Sequence, residues 1–503
     1  MLYLSAFLLI ALPWLNPLAP GPSPAVVPVL LSWACAAAWW GIYGCLKAPV
    51  LRTRFLNVCA VAWLVAGLVS CAMGLLQYYG AAGHLYPWVN QTEWGQAFAN
   101  LRQRNQFASL SNMALASLLW LVAVARVNTT KQWLLVLLSA GLLAAGNAAS
   151  SSRTGLVQLV LLCLLAGWWA GKRPAVQQRV GPVLLMAVAV YALATVLLPW
   201  LAGFDLSLHG LAARLRTGDD ACSSRLTLWS NVLHLIAQKP WLGWGWGGLA
   251  YAHYVGAYGG PRFCDILDNA HNLPLHLAVE LGLPLAVLLC SGAAWWVLKR
   301  RPWSETDPRR QLAWSVLAIL LLHSLLEYPL WYGPFQMAVG LCVLVLWSNP
   351  AAETSALSQN SDLKYPIAHV LHGSIAIILI AFCAYAAWDY NRVSQLYLSP
   401  EARDTAYRTE TLAKVRGSWL FANQVQFAEL MVTPLEPANA VWTFETAGDL
   451  LHYSPEPRVI EKRIEAAVML GRDEDALAHL AHYRAAFPAE HARWAKANGR
   501  HPF

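Results

Sequence analysis

The chain is organised by long apolar runs, and their length decides most of what it can fold into. A helix of about 17 to 25 apolar residues crosses the hydrocarbon layer of a membrane. Inside that layer every backbone N–H and C=O must be bonded within the protein, which leaves helices as the natural solution for such runs. They lie at Leu2–Leu15 (the shortest), Ala25–Cys45, Phe55–Tyr78, Phe107–Ala125, Trp133–Ala149, Thr154–Gly171 and Val180–Trp200. After a long polar interval come Leu273–Leu298, Leu312–Leu326, Trp331–Trp347 and Ile367–Trp388. The expectation is an all-α, polytopic transmembrane helical bundle of about eleven spans. Composition agrees: charged residues make up 12% of the chain, against about 25% in soluble domains. Such a chain has too little polar surface to face water everywhere.

The formal net charge is +8, but the basic residues are short clusters between apolar runs, not one basic face. No nucleic-acid partner is expected from that pattern. One set of loops carries Lys47, Arg52 and Arg54; Arg126 and Lys131; Lys172, Arg173 and Arg179; Lys299, Arg300, Arg301, Arg309 and Arg310; and Lys364. The other short loops carry only Arg102, Arg104 and Arg153. The positive-inside rule makes the first set cytoplasmic, so eleven spans leave the N-terminus inside and the C-terminus outside. Met1 to Leu15 has no basic start, and Pro13 and Pro17 stand where a small-residue cleavage site would; it reads as a retained first span, not a cleaved signal.

The expected organisation is therefore an N-terminal membrane bundle (1–200), a large extracytoplasmic loop (201–270), further membrane helices (271–388) and an extracytoplasmic helical tail (389–503). Within the tail, Pro457–Phe487 has the pattern of two amphipathic helices broken at Gly471, Arg472 and Asp473, with Pro488 as terminator. It looks like a tetratricopeptide-type pair. Cys35, Cys45, Cys59, Cys71, Cys163, Cys290, Cys342 and Cys383 lie in or beside apolar runs, where cysteine acts as a small hydrophobe. Cys222 and Cys264 lie in the large loop. An oxidising compartment would let them close a disulfide; two free thiols are the alternative.

The polar residues that could carry chemistry gather on the outer side. They are Asn100 to Phe107 (NLRQRNQF), Ser150 to Thr154 (SSSRT), Ser224 to Trp229 (SRLTLW), Pro240 to Gly248 (PWLGWGWGG), Asp268 to Asn272 (DNAHN) and Glu327 to Tyr332 (EYPLWY). In order and spacing these segments, with the opening PWLNP and GPSP, resemble the O-antigen ligase/polymerase-like family. The particular likeness is to its protein O-oligosaccharyltransferase branch (PglL/PilO type), and it runs from the first span to the tail. The resemblance implies a bacterial inner-membrane enzyme with a periplasmic site. Such an enzyme moves a preassembled glycan from undecaprenyl pyrophosphate to Ser or Thr hydroxyls of pilin-like or other exported proteins, with no cofactor or essential metal.

The residues suit that chemistry. A pyrophosphate leaving group needs cations that stay protonated and grip two oxygens at once, as arginine does. Arg153 and Arg225 are the expected clamp, with Arg102 or Arg104 as a third. Stabilising charge that grows on a leaving group is catalytic as well as binding. The bland alternatives are an interfacial anchor for Arg153 and a salt bridge to Asp219 or Asp220 for Arg225. His271, which the resemblance supports, is the candidate base for the acceptor hydroxyl, or else only orients it. Gln103 and Tyr328 match polar positions of the protein-glycosylating branch, and Glu327 would polarise His271, pair with an arginine or be structural. Asn272, His276 and Glu280 recur at four-residue spacing on one helical stripe; a structural hydrogen-bond ladder competes with a direct role for the last two. The glycines of Gly243 to Gly248 lack the Lys-Ser/Thr of a nucleotide loop. Their tryptophans suit the lipid headgroup level or stacking on sugar.

Two other readings compete. A ligase to lipid A-core, or a glycan polymerase, would use the same cations and base on another acceptor. A transporter or flippase would instead show charge near the bilayer midplane and often repeat symmetry.

Overall fold

A computed structural model describes residues 1–46, 49–125, 127–205, 210–211, 222–347 and 364–497. Lys47 and Arg126 of the charge bias, and Asp219 and Asp220, lie outside the described residues. Among the described residues every regular element is helical, and the chain divides into two compact units.

The first unit comprises Met1–Thr217 and Val297–Ala387. It opens with α1 (Leu2–Trp14), α2 (Val26–Cys45), α3 (Pro49–Tyr78), α4 (Arg104–Val124), α5 (Thr130–Ala149), α6 (Arg153–Gly171) and α7 (Pro174–Leu201). Helix α4 is the axis of this unit: it is buried from Asn105 to Leu119 without a break and packs on α3, α5, α6 and α7. Its small residues permit this, since helices in lipid associate through close backbone approach. A side chain at Gly67 of α3 would fall 2.3 Å from Ala114 Cβ of α4.

In chain order there follow α8 (Arg225–Gln238), α9 (Leu249–Val255), α10 (Leu273–Leu281), α11 (Leu283–Arg300), α12 (Pro308–Ser324), α13 (Gly333–Trp347) and α14 (Lys364–Ser394). The tail then forms α15 (Thr411–Val415), α16 (Ala422–Val432), α17 (Ala440–Tyr453), α18 (Pro457–Met469), α19 (Asp473–Ala486) and α20 (Pro488–Ala497). Helices α12 and α13 belong to the first unit, whereas α11 and α14 run from one unit into the other.

Eight helices among the described residues are long and apolar enough to cross a membrane: α2 to α7, and those spanning Leu283–Ser304 and Val370–Tyr397. Three further expected spans fold as the shorter helices α1, α12 and α13, of 13, 17 and 15 residues. The expected span Leu273–Leu298 is not one helix. Gly282, with φ 84° and ψ 160°, breaks it into α10 and α11, because no helical residue holds that backbone conformation.

The second unit comprises Gly218–Trp296 and Trp388–Phe503, so the loop and the tail that the sequence separates share one body. Tyr254 of α9 is fully buried in the tail's core with Phe427, Phe444, Ile464 and Tyr483. Its hydroxyl meets His479 Nδ1 at 3.2 Å, and Tyr251 stacks on His452 at 3.8 Å. A second core joins α8 and α10 through Leu228, Val232, Leu235, Leu267 and Val279. The amphipathic pair in the tail is α18 and α19, turned at Gly471. Pro488 begins a further helix, α20, instead of ending the pair, since proline is well tolerated in a helix's first turn.

Candidate active site

In the first unit the polar residues meet where two helix N-termini come together. Gln103 caps α4, its side-chain oxygen accepting Gln106 N at 2.7 Å. Ser152 caps α6, accepting Gly155 N at 2.9 Å. The two caps are joined by Asn105, which accepts Ser152 Oγ at 2.6 Å and donates to Glu327 Oε1 at 3.1 Å. Arg104 and Arg153 are the first residues of α4 and α6. Two helix N-termini concentrate partial positive charge and suit an anion. Arg104 also lies 5.2 Å over the ring of Phe98.

Arg102 comes just before the Gln103 cap of α4. It sits in a left-handed turn at φ 60°, and its guanidinium donates to the carbonyls of Pro17 at 2.9 Å and Pro87 at 3.4 Å. It ties loops together. Tyr328 stacks on Tyr332 at 5.9 Å, immediately after the buried Glu327. Below these lies a buried polar network that sequence reasoning missed. Ser109 meets His323 Nδ1 at 2.9 Å and accepts from Gln158 Nε2 at 2.7 Å, and Asn112 donates to Gly155 O at 3.0 Å. Its one sequence signal was the run of Asn, Gln and Ser along an otherwise apolar α4.

In the second unit Arg225 opens α8, behind the cap Ser224. One turn on, Trp229 Nε1 donates to Ala270 O at 3.1 Å. That bond brings the helix that carries Arg225 against the residue preceding His271. His271 has φ 49°, rare for a side chain this large, and its N–H is held by Asn269 Oδ1 at 2.9 Å. The turn therefore presents the imidazole just before α10, whose N-cap is Asn272, accepting Leu275 N at 3.1 Å. Asp268, to which the sequence assigns no role of its own, interacts electrostatically with His271; burial raises its carboxyl above the ordinary range while His271 and the local backbone N–H groups pull it down. The spacing Asp268-x-x-His271 was the available signal. The disulfide Cys222–Cys264 closes across this region, with Cα atoms 5.3 Å apart.

His276 and Glu280 lie on α10, outside the membrane-length helix that begins at Leu283. Nε2 of His276 is 3.4 Å from Glu280 Oε2. Burial lowers the histidine to about 4 and raises the glutamic acid, each penalising the charged form. Glu280 also accepts the N–H groups of Gly247 and Leu249 at the start of α9. The tryptophan loop is clamped to the same helix and to the start of α11: Trp244 N donates to Val279 O and Gly245 N to Glu280 O, each at 2.9 Å, and Leu283 N to Pro240 O at 2.8 Å. Gly243 and Gly282 interlock there. A Cβ at either would fall 2.4 or 2.1 Å from the opposing backbone. No three His, Cys, Asp or Glu side chains cluster at metal-binding spacing among the described residues.

Of the expected site residues, the structure groups Gln103, Arg104, Arg153 and Glu327 around the paired N-termini of the first unit. It groups Arg225, His271 and Asn272 at the α8–α10 junction of the second. Membrane-length apolar helices with such polar clusters at their ends define a membrane protein, and comparison with known proteins narrows the class. Residues 135–290 match the O-antigen ligase family, 97–122 the protein glycosylation ligase family, and 311–501 the C-terminal region of virulence factor membrane-bound polymerases. Among curated proteins it is 22% identical over 69% of its length to a general O-oligosaccharyltransferase of Acinetobacter baylyi. It is 26% identical over 51% to a ComP-specific O-oligosaccharyltransferase of the same organism. It spans 59% and 45% of the lengths of those relatives. No solved structure matches. In these matches the chain resembles the O-antigen ligase family and its protein-glycosylating relatives.

Proposed function

We propose that this protein transfers a preassembled glycan from undecaprenyl pyrophosphate to Ser or Thr hydroxyls of pilin-like or other exported proteins. In this reading it is a multi-pass protein of a bacterial inner membrane, with a cytoplasmic N-terminus and with the site, the loop and the tail in the periplasm. The observation that carries the reading is the Trp229–Ala270 bond, which holds the helix of Arg225 against the turn of His271 in a chain related to O-oligosaccharyltransferases.

In the reaction the acceptor oxygen attacks the anomeric carbon as the bond to the pyrophosphate oxygen breaks. His271 takes the hydroxyl proton, because a neutral hydroxyl is a weak nucleophile. The electron pair leaves on undecaprenyl pyrophosphate, whose growing charge Arg225, in the same unit as His271, neutralises; Arg153 and Arg104 are the cations of the first unit's own cluster. The site supplies cations and a base from its own side chains, and no metal or cofactor enters the scheme. Tyr328 orients the acceptor or the donor phosphate. Gln103 and Arg102 hold the frame of the first unit, as their bonds indicate.

The test is transfer in a glycosylation-deficient bacterial host supplied with a lipid-linked glycan and a pilin, comparing the native chain with His271→Ala at matched membrane expression. Glycosylated pilin that disappears in the variant supports the activity and the base together. Because family models named for O-antigen ligases and membrane-bound polymerases cover much of the chain, the same host should be examined for modified lipid A-core and for lengthened glycan. Either product with bare pilin would replace the protein acceptor.

A further inference from the structure

Helix α8 buries an apolar face, and its exposed side divides into a polar flank with His234 and Gln238 and a strip that is mostly apolar. Leu228, Val232, Leu235 and Ile236 pack into the core. On the other side Leu226, Ser230, Leu233 and Ala237 repeat at i, i+4, i+7 and i+11, with no charge among them. Leu226 is 77% exposed and Leu233 55%. The stripe runs directly into the tryptophan loop, where Trp241 is 75%, Leu242 85% and Trp246 69% exposed. In water such a strip would be an adhesive patch.

Its position identifies the occupant. Pro240, the residue before Trp241, accepts the N–H of Leu283, the first residue of α11. Helix α11 begins a segment long and apolar enough to cross a membrane, and its flank is exposed leucine, valine and tryptophan, including Leu285, Leu288 and Trp295. The strip is therefore continuous with a lipid-facing surface at the level where that helix starts. Tryptophan prefers this depth, with its ring among headgroups. A helix with one polar and one apolar face lies along such a boundary.

We propose that α8 and the tryptophan loop form a monotopic foot that lies in the bilayer interface beside α11, with Leu226, Leu233, Trp241, Leu242 and Trp246 inserted among phospholipids. Arg225, at the start of α8, is thereby held at headgroup level. This does not depend on which acceptor the enzyme uses.

The test places benzoylphenylalanine singly at Leu226, Leu233 or Leu242 in the full chain, reconstituted into vesicles of phosphatidylethanolamine and phosphatidylglycerol. Leu288 of α11 serves as the lipid-facing reference. Leu477 of α19, 61% exposed, serves as the water-facing one. After irradiation, mass spectrometry should find phospholipid adducts at the three foot positions as at Leu288, and none at Leu477. Lipid adducts at Leu288 alone would overturn the proposal. Cross-links from the foot into protein would also overturn it, by assigning the strip a polypeptide partner.

Discussion

Gly282→Ala isolates the joint between α10 and α11. At φ 84° and ψ 160° the residue occupies a region that is essentially glycine's alone, so alanine there costs about 1–3 kcal/mol in backbone strain. The new Cβ would also fall 2.1 Å from Trp241 O and 2.5 Å from its carbonyl carbon. Both are backbone atoms, and the loop they belong to is pinned by bonds from Leu283, Trp244 and Gly245. Relief of such an overlap adds about 1–3 kcal/mol. A combined loss of about 4 kcal/mol lowers the melting temperature of a unit of this size by roughly 8–16 °C. Thermal unfolding of the detergent-solubilised chain measures it, with transfer activity read alongside. Two controls divide the terms. Gly247→Ala has φ 74° but no atom within 4 Å of its Cβ and should lose only about 1–3 kcal/mol. Gly292→Ala, in helix α11 with open space around it, should be neutral or gain up to about 1 kcal/mol. If Gly282→Ala melts with the native chain, the interlocked loop is not a constraint and the reasoning fails.

Replacing His271 with Ala should lower transfer by about 10²–10⁴-fold without altering the melt; an active variant would remove the base from the scheme. Arg225→Lys should retain the charge but lose two-point contact, lowering kcat/KM more than a loop salt bridge would, as steady-state assays with varied donor can tell. His253 is held near 4 by burial first and then by Arg262, so its unfolded form binds the extra proton between about pH 6.5 and 4. Its contribution is complete above the upper value and falls by up to about 3 kcal/mol as pH drops through that window; a melting series should show a smaller acid loss in His253→Phe. Reducing Cys222–Cys264, 42 residues apart in sequence, removes a loop-closing constraint of about 4 kcal/mol and should expose the loop to protease; identical digestion with and without reductant would count against that constraint.

The sequence made the membrane class plain because run length and low charge act locally. Most helix borders followed, with Ser152, Ser224 and Asn272 already in capping positions. What it hid were pairings across the chain. Leu273–Leu298 reads as one apolar run because a glycine inside it weakens helix propensity only mildly; the break is imposed by Trp241 from outside. The bond from Arg102 to Pro17 O crosses 85 residues of chain. The links from Trp229 to Ala270 and from Asn105 to Ser152 and Glu327 join residues 41 or more apart. No periodicity reports such contacts.

The sharing of Tyr254 between loop and tail also bears on how such a protein can be recombined. Removing Asp389–Phe503 would strip α9 of its core, so truncation should damage donor and acceptor use together instead of acceptor use alone. Segments 218–296 and 388–503 are distant in sequence yet form one heritable module. Chimeras that exchange only one of them between relatives inherit mismatched halves of a single core, whereas exchanging both transplants an intact body.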